Sequence, residues 1–271
     1  MGYVRYVVRY FFVEHQGKSF DLCLRGNNSL IQLLKLAMKK ILFVPALLTA
    51  LFFTACEPAL RGKGDLTTET RDLSNFHALD ISTQGRVDVR TDSVFSVEIT
   101  CEENILPYLE TYVDNGVLKI YFSRNVWDVN GLRIRIGAPA WDAFELSGSG
   151  NVYVPDPIVG DDLKLRLSGS GKIKIDDANF VYTSLKVSGS GDVYLSGQGD
   201  ELFGTLSGSG NVEARYFPVK KATAKVSGSG NIRLNVSETL DATVSGSGNV
   251  EYLGSPHVDK DVSGSGKVRK L

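Results

Sequence analysis

The chain has 271 residues, 30 of them Lys or Arg and 31 Asp or Glu, with a 42% hydrophobic content. That is enough apolar mass for a real core, which excludes disorder as the overall state, and the even charge balance excludes a strongly basic nucleic-acid binder. Two Met, three Cys and three His leave little material for metal or redox chemistry, so no metal site, cofactor or catalytic residue is expected.

Composition changes abruptly near residue 56. Residues 1–55 carry seven basic and two acidic residues. From Met38 the chain reads Met38-Lys39-Lys40, then an uncharged apolar run from Ile41 to Phe53, then Thr54-Ala55-Cys56. A basic start, a short apolar stretch and a small-residue exit form a secretory signal over residues 38–55. The apolar run is short for a spanning helix, which needs about 20 residues. Phe53-Thr54-Ala55-Cys56 resembles the bacterial lipobox. That resemblance implies cleavage before Cys56, a thioether-linked diacylglycerol on its sulfur and an acylated, palmitate-type amine. Two or three acyl chains, at about 0.8 kcal/mol per buried methylene, anchor stably where one alone is marginal. Residues 1–37 precede a well-formed start at Met38 and read as an over-extended N-terminus or a leader. Residues 56–72 are polar and suit a lipidated tether. The expected address is the outer membrane, lipid-anchored, on its periplasmic side or at the cell surface.

Removing residues 1–55 leaves a formal charge of −6, which argues against nucleic acid or an anionic membrane as charge partners. With Cys23 in the leader and Cys56 lipidated, Cys101 stands alone, so no disulfide framework is available.

The domain proper is expected over residues 73–271. Its first part offers five strand-like runs, Phe76–Ile81, Arg86–Arg90, Phe95–Ile99, Val117–Phe122 and Leu132–Ile136. Between them, Asn104–Val113 is the one stretch that suits a helical turn, followed by a turn at Asp114-Asn115-Gly116.

From residue 147 to residue 266 the chain repeats. Ser-Gly-Ser-Gly begins at Ser147, Ser168, Ser188, Ser207, Ser227, Ser245 and Ser263, at intervals of 18 to 21. The residue before each tetrad is Leu or Val, and two positions beyond each stands Val or Ile. Such alternation is the strand period of two, and it excludes a flexible linker. Its parity places both glycines on the apolar side, where a chain without side chains can bend sharply or approach the opposite wall. Each repeat reads as two short strands meeting at a glycine corner, with returns such as Pro155–Asp162 or Phe217–Lys221. A single repeat cannot bury its inner face, and stacking makes one continuous core. The expected fold is all-β, a right-handed parallel β-helix or solenoid with coils of about 20 residues.

In such a stack, equivalent residues of successive coils lie over one another. Three positions past each tetrad the column reads Tyr153, Lys174, Tyr194, Glu213, Arg233, Glu251, Arg269, and its last four members alternate in sign. Glu145 is likewise followed by Arg166, and Lys172 by Asp192. Asn211, Asn231 and Asn249 suit a side-chain hydrogen-bond ladder. The last coil, with Lys260, Asp261, Lys267, Arg269 and Lys270, reads as a charged cap that discourages end-on pairing, so a monomer is expected.

Phe76-His77-Ala78-Leu79-Asp80-Ile81, Asp114-Asn115-Gly116-Val117-Leu118-Lys119-Ile120 and the recurring Leu/Val-Ser-Gly-Ser-Gly-x-Val/Ile resemble the auto-transporter adhesin, head GIN domain family over about residues 72–268. The resemblance implies a parallel β-helix-like fold and carries over no catalytic residue.

Polysaccharide-active enzymes also use β-helices, and Asp161-Asp162 and Asp176-Asp177 are the candidate carboxylate pairs for that alternative. Both pairs fall in expected returns, where solvated turn residues belong. A structural envelope spacer is a third reading. Surface binding to a glycan or to an envelope or host protein is preferred. Outward Tyr153 and Tyr194 are the candidate contacts, and Trp141, Tyr182, Tyr216 and Phe217 decorate the strands and returns.

Overall fold

The structure, a computed structural model, describes residues 59–271; the stretches expected to be leader and secretory signal, and Cys56, lie outside the described residues. Nearly all of it is strand. The first part holds β1 (Leu60–Arg61), β2 (Leu66–Arg71), β3 (Ala78–Ser82), β4 (Arg86–Thr91), β5 (Ser96–Glu102), β6 (Leu109–Asp114), β7 (Val117–Phe122), β8 (Val126–Asp128) and β9 (Arg133–Ala138). The repeats hold β10 (Ala143–Leu146), β11 (Asn151–Val154), β12 (Ile158–Leu167), β13 (Lys172–Val187), β14 (Asp192–Leu206), β15 (Asn211–Val226), β16 (Asn231–Val244), β17 (Asn249–Gly254), β18 (His257–Val262) and β19 (Lys267–Lys270).

The seven tetrads lie in line and bound a parallel β-solenoid of about six turns. We call the wall built from the residues before each tetrad the leading face and the wall built from those after it the trailing face. On the leading face, parallel pairing runs β7–β3–β10–β12–β13–β14–β15–β16–β18. On the trailing face it runs β9–β4–β11–β13–β14–β15–β16–β17–β19. The expected return loops are themselves paired strand: Ile158 stacks on Ala178 and Ala178 on Gly197. Ile158, Ala178, Phe180, Phe217, Val219 and Val236 close the core from that third side.

Alternation explains the filling. Leu165 and Leu167, Leu185 and Val187, Val212 and Ala214, Ile232 and Leu234 are buried, and the residues between them are outside. At about 1.5–3 kcal/mol per buried branched side chain, the inward columns are the main stabilising term.

The tetrad glycines have a different reason from the one expected. None of them has a left-handed φ. A Cβ on Gly169 would overlap the carbonyl oxygen of Gly148, one on Gly189 that of Gly169, one on Gly208 that of Gly189. Gly171, Gly191, Gly210, Gly230, Gly248 and Gly266 repeat the pattern in the second glycine column. The close approach is therefore along the solenoid axis, backbone upon backbone, rather than across to the opposite wall. Ladder bonds continue through the corner, as in Ser227 N–H to the Leu206 carbonyl at 2.9 Å and Ser229 N–H to Gly208 at 3.1 Å.

The first part departs from the repeat. β3 and β4 form a rung whose corner is Thr83-Gln84-Gly85, and the β10–β11 rung rests on it. The β7–β9 rung lies on its other side, so the stacking order is not the chain order. Antiparallel strands then cover this end: β6 on β7, β5 on β9 and β2 on β5. The helical expectation for Asn104–Val113 holds only for a single 3-10 turn, Leu106–Tyr108. Leu109–Asp114 is strand instead. Asn115 and Gly116 both take positive φ, the backbone of a two-residue hairpin, and that pairing overrides the local pattern. The expected tether is also shorter, because Leu60–Arg61 pairs with β8 and Leu66–Arg71 with β5. Cys101 is fully buried, and burial pushes its thiol up to about 11.

Candidate binding surfaces

A solenoid offers its outward columns, so the question is which groups in them are already occupied by neighbours. On the trailing face almost all are. Asn211 Nδ2 donates to Asp192 Oδ1 at 3.0 Å, Asn231 to Asn211 at 3.0 Å and Asn249 to Asn231 at 2.8 Å, and the Lys267 backbone N–H donates to Asn249 Oδ1 at 3.1 Å. The asparagine ladder thus exists and is terminated at both ends.

Beside it runs the charge ladder. Glu213 meets Arg215 at 2.5 Å and Arg233 at 3.4 Å, Arg233 meets Glu251 at 2.7 Å, and Glu251 also accepts from Arg269 Nε at 2.9 Å. The Glu251 side chain is only 5% exposed. The hydrogen bond from Arg269, then that from Arg233, holds its carboxyl below the usual carboxylate range despite burial. Reciprocally, Glu251 raises the Arg233 guanidinium.

Tyr153 and Tyr194 sit in this column, each half-buried, with Lys174 between them in register. The structure does not bring the two rings together. The Arg86 guanidinium lies 4.3 Å from the Tyr153 ring centre, and Lys172 Nζ lies 5.1 Å from that of Tyr194. Lys172 was expected to pair with Asp192; it stacks on the ring, and Asp192 accepts from Asn211. Lys174 pairs with Asp176 at 2.8 Å.

The corner between the faces is a ridge of exposed serines in two columns. Of these hydroxyls, only that of Ser207 donates to another of the described residues, to the Val187 carbonyl at 3.5 Å.

The leading face is different. Its outward residues include Tyr182 and Phe203, both 47% exposed. Arg166 stacks directly on Lys186, and Asp241 on Asp259. Among the described residues, Lys164, Arg166, Lys186, Asp241 and Asp259 have no ion-pair partner, and like charges in adjacent strands repel. Glu145 is in register with Arg166 without closing an ion pair. A shallow groove of about 210 Å³ runs here between Phe203, Lys221, Thr223, Thr239, Asp241 and Asp259. Sequence reasoning missed Phe203. Its outward parity, four residues before a tetrad, was the available signal.

Two expected surface aromatics are interior. Trp141 is 1% exposed, stacks on Phe144 and donates its Nε1–H to the Arg90 carbonyl at 2.9 Å, and Phe217 is fully buried. Tyr216 is 70% exposed. Asp161-Asp162 and Asp176-Asp177 stand exposed on strands rather than in loops. His77 Nδ1 lies 2.8 Å from Asp142 Oδ2 at the capped end. Near it in sequence, Arg71 and Glu69 pair at 2.9 Å beside a second groove of about 540 Å³, lined also by Thr67, Glu103 and Glu110. Among the described residues, no three His, Cys, Asp or Glu side chains converge.

With this geometry in place, comparison with known proteins is informative. The model of the family described as "Putative auto-transporter adhesin, head GIN domain" matches residues 75–256. Three solved structures are similar over 79% of this chain and 100% of their own. One is named a putative adhesin from Bacteroides fragilis, at 24% identity and a TM-score of 0.72. Another is named a putative lipid binding protein from Parabacteroides distasonis, at 22% and 0.67. The third is named a putative adhesin from Parabacteroides merdae, at 22% and 0.65. At these identities the likeness shows the fold. No curated protein matches the chain.

Proposed function

The chain belongs to the auto-transporter adhesin, head GIN domain family, and from that premise we propose that it is a non-catalytic, lipid-anchored protein of the cell envelope whose solenoid presents a rigid surface for binding. Cys56 carries the lipid and places the protein at the outer membrane. The task is adhesive, toward a glycan or an envelope or host protein. The observation that supports this reading most is the row Tyr153–Lys174–Tyr194 on adjoining coils, with each ring braced by a cation. Aromatic rings held by their neighbours make large contacts with sugar rings or partner side chains at little entropic cost.

Two experiments test it. Glycan-array and pull-down binding by the intact protein should fall at least tenfold in the Tyr153→Ala/Tyr194→Ala variant. Undiminished binding, or no binding across envelope and host ligands, overturns the reading. For the anchor, Cys56→Ser should move the protein from the membrane fraction to the soluble one, and labelling of intact cells should reach the wild type if the solenoid faces outward.

A further inference from the structure

The leading face carries a pattern that goes beyond the adhesive reading and does not depend on it. Its outward residues form three columns over six consecutive coils, carried by β12, β13, β14, β15, β16 and β18. Positive charge gathers in the first two coils, negative charge in the last two, and the exposed Tyr182 and Phe203 lie on the second and third. We propose that this face is an interface with a second copy of the chain, the two solenoid axes antiparallel and the two-fold axis lying along the strands between β14 and β15.

That operation places the first coil against the sixth, the second against the fifth and the third against the fourth, column upon column. In the column nearest the tetrads, Arg166 meets Asp261 of the second copy, Lys186 meets Thr243, and Thr205 meets Lys225. In the middle column, Lys164 meets Asp259, Ser184 meets Asp241, and Phe203 meets Thr223. In the outer column, Asp162 meets His257, Tyr182 meets Thr239, and Glu201 meets Lys221. No like charges face each other, and three pairs join a fixed cation to a carboxylate. Each occurs twice by symmetry, as an isologous interface requires.

The arrangement is selective. Moving the axis by half a coil onto β14 sets Lys186 against Lys225, and moving it onto β15 sets Lys221 and Lys225 each against its own copy. Turning it parallel to the solenoid sets Asp241 and Asp259 each against itself and Lys221 against Lys225. Like charges so placed suppress those alternatives.

The uncompensated stacks also acquire a reason. Within one copy, Arg166 on Lys186 and Asp241 on Asp259 are unfavourable neighbours, and the second copy supplies counter-charge to one member of each. Six coils at about 4.8 Å by about 20 Å of strand give roughly 600 Å² per copy, or about 1,200 Å² for the pair, at the lower edge of stable interfaces. A reversible dimer is the expected species. The sequence-based expectation of a monomer rested on the charged last coil, which concerns end-on contacts and leaves this face unaddressed.

The test is sedimentation of the full-length chain in a detergent whose micelles greatly outnumber the protein. The wild type should pass from monomer to dimer as concentration rises. Lys164→Glu/Arg166→Glu, and separately Asp259→Lys/Asp261→Lys, should each weaken association at least tenfold. An equimolar mixture of those two variants should restore it, because every reversed charge then meets an opposite one. A wild type that stays monomeric overturns the proposal without recourse to any variant. So do variants that still dimerise, which would place association in the anchor, and a mixture no better than its components. Glycan binding lost in these variants while the wild type remains monomeric would assign the face to a sugar instead.

Discussion

The two flat walls of the solenoid share one backbone and one spacing, yet they use their outward side chains in opposite ways. On the trailing face, Asn211, Asn231 and Asn249 bond to one another, and Glu213, Arg233, Glu251 and Arg269 alternate. On the leading face, Arg166 lies over Lys186 and Asp241 over Asp259 with no counter-ion among the described residues. Stacking at about 4.8 Å amplifies whichever pattern is present, since every residue meets its equivalents above and below. The trailing ladders hold coil to coil. The leading charges do not, and the second copy proposed above would give their disposition a use.

Both walls depend on the corner they share, so the largest effect should come from there. In Gly230→Ala the new Cβ would overlap the Gly210 carbonyl oxygen, and backbone cannot move aside without parting two coils. The expected loss is about 3 kcal/mol, a fall in Tm of about 6–12 °C for a domain of this size. The neighbouring Ser229→Ala should stay within about 0.5 kcal/mol, because that hydroxyl is exposed and makes no hydrogen bond among the described residues. Thermal unfolding of the pair separates the structural half of the tetrad from its exposed half. Equal losses would mean that the serines, not only the glycines, hold the corner.

The next effect belongs to the trailing face alone. Glu251 accepts from both Arg233 and Arg269 and is nearly buried, whereas both arginines are partly in water. Glu251→Gln should cost about 1–2 kcal/mol, the hydrogen bonds of a charged group discounted for solvent at its partners. The pH dependence has a definite sign. The folded carboxyl titrates below its ordinary value of 4.5, so its stabilisation is complete above that value and is lost as pH falls through the depressed one. Wild type and Glu251→Gln should therefore differ at neutral pH in denaturant melts and converge in acid. A constant difference would show that the ladder contributes by packing rather than by charge.

Much of this architecture is legible in the amino-acid sequence alone. The tetrad interval and the period-two parity place the inward columns, and because equivalent residues stack, they also place the asparagine ladder and the Glu213–Arg269 alternation. What local pattern does not carry is direction and partner choice. The parity of Gly148 and Gly150 says that a side chain is unwelcome, and only the coil below says that a carbonyl is the reason. Nothing in Leu109–Asp114 distinguishes a helical turn from a strand until β7 supplies its hydrogen bonds. The order of the first rungs, with β3 between β7 and β10, is a long-range pairing that no single segment encodes. At the candidate site, sequence placed Tyr153 and Tyr194 in the right column and Trp141 and Phe217 on the wrong side of the wall. Trp141 precedes the first repeated strand, and Phe217 lies in the return part of β15, where the register shifts between Ala214 and Pro218, so parity counted from a tetrad does not carry to either.

The smallest effect is the sharpest test of the contrast, because its sign reverses between the walls. Asp241 lies in register between Thr223 and Asp259, with a like charge on one side and no counter-charge on the other. Asp241→Lys replaces that repulsion by an attraction to Asp259 and should stabilise the isolated chain by about 0.2–1 kcal/mol. Both groups are exposed, so the gain should shrink as salt rises from about 0.1 M to about 1 M and the screening length falls from about 10 Å to about 3 Å. Urea melts at low protein concentration and two salt levels measure it. On the trailing face any change of sign in the alternating column should destabilise, as Glu251 illustrates. A gain from Asp241→Lys beside a loss from Glu251→Gln would establish that the leading wall carries charge against its own stability, whereas a loss at both would mean that Asp241 has an intramolecular role and that the walls are alike.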